Sequence, residues 1–170
     1  MSKRPLVSIA LAIGAVMVMT VTAAASSTYT EWIHGSELPN ATTTEGHFIG
    51  EATGSFGGAW AIDVKHQPLN YSPDYITGGS FSLDTVINGW PSTINGTFVP
   101  WSGTVKQLSG FSGCTNQQYV VNGRMNSVGI NGGSGTGSFS ATLTHYRTNV
   151  WWVGCVVYSA SVSGTVSMTF

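Results

Sequence analysis

The chain has 170 residues, of which 8% are charged, and a formal net charge of −1. Beyond Ala25 the bases are Lys65, Lys106, Arg124 and Arg147 against seven acids, with no basic cluster, so nucleic acid is not an expected partner. Abundant aromatic and β-branched residues set the sequence apart from disordered chains.

The N-terminus opens with Lys3 and Arg4, continues through an uncharged apolar run from Leu6 to Val21, and ends in Thr22-Ala23-Ala24-Ala25-Ser26. This is the pattern of a secretory signal peptide over residues 1–25, and the run is short for a membrane span. Removal after Ala25 leaves 145 residues, enough for one domain with its own core. The mature protein is therefore expected to be secreted, extracellular or at the cell surface, without stable membrane insertion.

Residues 26–46 read as an N-terminal extension or a first short strand at about Tyr29 to His34. Residues 47–170 read as a single antiparallel β domain. Strands are expected at His47–Phe56, Trp60–His66, Ile76–Val86, Ile94–Val105, Gln117–Val128, Gly137–Arg147 and from Val156 to Phe170. In the last of these, Val156, Tyr158, Ala160, Val162, Gly164, Val166, Met168 and Phe170 alternate with mostly hydroxyl residues, which gives one apolar and one hydroxyl face. Such a long strand should bend or bulge, with Gly164 the natural place.

Between the first two of these strands, a three-residue loop Gly57-Gly58-Ala59 would set Phe56 opposite Trp60, Ala52 opposite Val64 and Glu51 opposite Lys65. A turn is expected at Trp90-Pro91. Asn122-Gly123 is a hairpin signal inside Gln117–Val128; there a continuous strand with Gly123 as a bulge is the expectation. Fragments such as Gly54-Ser55-Phe56 and Gly137-Ser138-Phe139 recur at irregular spacing, consistent with glycine at strand bends. The fold class is thus all-β, an antiparallel up-and-down barrel or, alternatively, a β-sandwich. The two cysteines, Cys114 and Cys155, form an even set and read as one disulfide.

The stretches Gly-Ser-Phe-Ser-Ala-Thr-Leu-Thr-His-Tyr-Arg and Tyr-Ser-Ala-Ser-Val-Ser-Gly resemble small exported β-proteins of actinobacteria without an assigned activity. That resemblance implies no functional residue.

A meander brings His66, His145 and both cysteines to one rim, where the connections carry Tyr71, Tyr75, Phe111, Trp151 and Trp152. Ligand sites in barrels open at such loop-lined mouths. The ligand-binding candidates are therefore His66, Tyr71, Tyr75, His145, Arg147, Trp151 and Trp152. Histidine can bind a polar group or move a proton, and exposed aromatics can stack on sugars or cover an apolar molecule. No metal-ligand spacing, nucleophile elbow or zinc-protease motif occurs, so neither cofactor nor metal is expected and catalysis is not the favoured role.

The expected function is a soluble binding module for a glycan or a small apolar molecule at the disulfide-bearing rim. The alternatives are a self-associating cell-surface protein, a small outer-membrane β-barrel, or a hydrolase.

Overall fold

A computed structural model describes residues 26–39, 41–68, 73–128 and 133–170. The expected signal peptide and Tyr71 lie outside the described residues. Nine strands account for most of the chain: β1 (Thr28–Glu37), β2 (Glu45–Gly54), β3 (Gly58–His66), β4 (Asp74–Ile87), β5 (Trp90–Phe98), β6 (Thr104–Ser109), β7 (Gln117–Val128), β8 (Ser134–Val150) and β9 (Gly154–Thr169). No helix occurs among the described residues.

All the pairings are antiparallel, and they run round a ring. Each of the first four strands pairs with the next, β7 pairs with β8, β8 with β9, and β9 returns to β1. Both β5 and β6 sit between β4 and β7, so they share one position in the ring. The segment expected as one strand, Ile94–Val105, is therefore a single line broken in the middle. At the break Trp101 takes a positive φ of 64° and its N–H donates to the Ile76 carbonyl at 2.8 Å. The neighbouring backbone is kept satisfied by Val99 N–H to the Arg124 carbonyl, 3.0 Å, and by Arg124 N–H to Ser102 Oγ, 3.0 Å.

Alternation sets the two faces of this ring. In β8, Phe139, Ala141 and Leu143 are buried, whereas Ser138, Ser140, Thr142 and Thr144 lie on the other face. In β9, Ala160, Val162, Val166 and Met168 are buried in the same way. These side chains join Trp60, Ile76, Phe81, Ile94, Phe98 and Met125 in one core. Burial at about 25 cal/mol per Å2 of apolar surface is the principal force holding the ring closed.

Local chemistry moves several expected features. The β2–β3 register sets Gly50 opposite Trp60 and Glu45 opposite Lys65, so Lys65 meets the acid six positions before Glu51. The reason lies at Glu31, which is buried and accepts the N–H groups of Phe56 at 2.7 Å and Gly57 at 3.0 Å. Satisfying that carboxylate pulls Ser55–Gly57 out of the ladder and lengthens the loop. The displacement is an even number of residues, so the inward face of both strands is the one expected.

The β4–β5 turn lies at Asn88-Gly89 rather than Trp90-Pro91, with φ values of 52° and 82°. Positive φ at both central residues is what a two-residue hairpin of this hand requires, and Asn-Gly supplies it. Strand β7 runs unbroken through Asn122-Gly123, and its register with β8 has no bulge. The irregularity belongs to the neighbouring break between β5 and β6; an added methyl at Gly123 would lie 2.9 Å from the Phe139 ring. Gly164 keeps regular register with both β1 and β8. The shift in the last hairpin lies instead between Tyr146 and Arg147, where Tyr158 is the extra residue on β9.

The disulfide Cys114–Cys155 is formed, with Cα atoms 5.4 Å apart. It ties the loop after β6 to the start of β9.

Candidate functional site

The interior holds a cavity of about 80 Å3 that reaches the disulfide-bearing rim. Its walls are mostly apolar: Ile33 from β1, Phe48 from β2, Trp60, Ile62 and Val64 from β3, Val105 from β6, Val121 from β7, Phe139 and Leu143 from β8, and Val162 from β9. The polar groups collect toward the rim, where Glu37 ends β1, His66 ends β3, His145 follows Leu143 on the inward face of β8, and Thr42 comes from the β1–β2 loop.

Two histidines expected at this rim, His66 and His145, both line the cavity. Nε2 of His145 donates to Oε2 of Glu37 at 2.8 Å, and both side chains are largely buried, at 17% and 13% exposure. Nδ1 of His66 donates to the Gln67 carbonyl oxygen at 2.7 Å. A carbonyl can only accept, so in the neutral ring Nε2 of His66 is an acceptor. The rim end of the cavity thus offers a carboxylate already bridged to one histidine, and a second histidine whose Nε2 is an acceptor.

Tyr119 packs its ring against His145 with centroids 5.3 Å apart and an interplanar angle of 59°. Burial raises the phenol above its usual pKa; the Arg147 charge lowers it and the Glu37 charge raises it further. Deeper in the wall, the Trp60 indole N–H is buried with no hydrogen-bond acceptor among the described residues.

The remaining expected residues lie elsewhere. Tyr75 is 44% exposed and packs on Trp101, with ring centroids 6.3 Å apart. Arg147 clamps the loop after β6: its backbone N–H donates to Asn116 Oδ1 at 3.1 Å and its guanidinium to the Gly113 carbonyl at 3.4 Å. Trp151 and Trp152 stand at the tip of the β8–β9 hairpin, and neither lines the cavity.

Glu37, Thr42 and Tyr119 also line the cavity, beyond the residues that the sequence singles out. For Glu37 the signal was present: Glu31, Ile33, Gly35 and Glu37 share one face, and extending β1 three residues past His34 brings Glu37 to the rim. No cluster of three His, Cys, Asp or Glu side chains able to hold a metal ion occurs among the described residues. Comparison with protein-family models, with curated proteins and with solved structures gives no match.

Proposed function

We propose that the protein is an exported binding module for a small apolar molecule bearing one polar head, held inside the ring beneath the disulfide rim. The observation that carries this proposal is the cavity, whose walls are mostly apolar and whose charged and ionisable lining groups, Glu37, His66 and His145, gather toward the rim with Thr42. A sugar would set its hydroxyls against Val64, Leu143 and Val162, which offer no hydrogen bond in return. The apolar guest is therefore preferred to a glycan. Size narrows the class: an apolar cavity of about 150 Å3 takes benzene, so about 80 Å3 suits a chain of a few carbons.

A disulfide is at home in an oxidising compartment, which supports export. Apolar residues face inward and Ser and Thr outward on β8 and β9, the reverse of what a membrane-spanning barrel presents to lipid. This favours a soluble domain.

A second reading is self-association through the hydroxyl face of β8 and β9. There Thr28 meets Thr169 with hydroxyls 2.9 Å apart, and Thr136 continues the rank on β8.

Native mass spectrometry of the mature protein, purified without detergent from its secreting host, distinguishes the two. The binding role predicts a monomer carrying a small non-covalent mass, which is lost in Ala141→Leu, a substitution that fills the cavity from its wall. An empty monomer would count against binding, and an empty assembly would favour the hydroxyl face.

A further inference from the structure

The β8–β9 hairpin outruns the ring. Strand β7 begins at Gln117 opposite His145, and β1 pairs with β9 only as far as Ser161. From Tyr146 to Tyr158 the two strands therefore pair only with each other, and at about 3.3 Å per residue the ribbon projects on the order of 15 Å. Its tip is Trp151-Trp152-Val153, with the two tryptophans 91% and 82% exposed. Beside it the loop after β6 presents Phe111, 72% exposed, and the disulfide together with the two Arg147 hydrogen bonds fixes loop to ribbon. Large aromatics are thus held out into solvent on a braced prominence, which a side chain seeking the core would not require.

Charge indicates what meets them. Every acid in the chain lies at or before Asp84. The prominence itself, 110–116 together with Tyr146–Tyr158, carries Arg147 and no carboxylate, although the mature chain as a whole is acidic. Tryptophan and tyrosine suit the headgroup layer of a bilayer, where the ring is buried and its polar edge stays wet.

We propose that this braced tip is a peripheral docking point for a bilayer surface containing anionic phospholipid. Trp151, Trp152 and Val153 enter the headgroup layer, Phe111 and Tyr158 rest at its surface, and Arg147 faces the phosphates.

The test is co-sedimentation of the mature protein with vesicles of phosphatidylcholine mixed with phosphatidylglycerol, and with vesicles of phosphatidylcholine alone. Docking predicts binding to the mixed vesicles, weakened by added salt, with a blue shift of tryptophan emission. Trp151→Ser and Trp152→Ser should each weaken it about tenfold, with the far-ultraviolet circular dichroism unchanged. Failure to bind either vesicle, or undiminished binding by the double variant, overturns the proposal. So does an emission shift produced by soluble oligosaccharide and not by vesicles, which would assign the tip to glycans.

Discussion

Glu37 Oε2 and His145 Nε2 lie 2.8 Å apart although their strands, β1 and β8, do not pair with each other. Strand β9 runs between them, and the inward residue opposite His145 is Ala160. Two long side chains meet over a short one, closing a polar bridge across three strands at the rim.

A double-mutant cycle on Glu37→Ala and His145→Ala should give a coupling of about 1–2 kcal/mol in urea unfolding, since either single change leaves a largely buried polar group without its partner. Additive single effects would mean that the bridge contributes nothing to stability. Ala160→Leu should uncouple the pair in the same way by standing between its members.

Tyr119 sets an alkaline limit. Its pKa is raised in the folded protein, mainly by burial, above the value of 10.0 that an ordinary phenol has. The folded state therefore holds this proton more tightly than the unfolded state. The associated stability is fully present below pH 10 and is lost as pH rises from there through the folded pKa. Stability measured across that range should fall with pH, and Tyr119→Phe should flatten the slope. An unchanged slope in Tyr119→Phe would assign the loss to other groups.

The disulfide closes a loop with a sequence separation of 41, worth about 4 kcal/mol in loop-closure entropy. Cys114→Ser with Cys155→Ser should lower unfolding free energy by about that amount. Amide exchange should quicken first in Gly110–Asn116, where the remaining ties to the ribbon are the Arg147 hydrogen bonds.

Gly35 and Gly50 face each other across β1 and β2, and the Trp60 indole lies over both. A methyl added at Gly50 would run into the His34 carbonyl oxygen and come within 2.7 Å of Trp60 Cζ2. Gly50→Ala should therefore cost about 1–3 kcal/mol and alter the near-ultraviolet circular dichroism of Trp60. An unperturbed variant would mean that the strands can part without loss.

Much of this fold is legible in the sequence because a period of two assigns faces without knowing partners. Strand β7 has the expected bounds, and the histidines ending two apolar faces both line the cavity. Register is different: it depends on a contact that alternation does not encode. Glu31 reaches the N–H groups of Phe56 and Gly57, 25 and 26 residues on, and that bond sets the β2–β3 loop. The turn at Asn88-Gly89 is itself a hairpin pair, one step before the Trp90-Pro91 at which the turn is expected. The aromatics of the rim loops divide by a similar logic. Type and position point to one shared site, but the projection of the ribbon carries Trp151 and Trp152 away from the cavity that the histidines line.

The most direct test of the binding role is a methyl NMR titration of the mature protein with a short-chain alcohol series. Saturable shifts confined to the methyls of Val64, Leu143 and Val162, altered in His145→Ala, are the expected result. Shifts that never saturate, or that appear only around Trp151 and Trp152, would contradict an internal site.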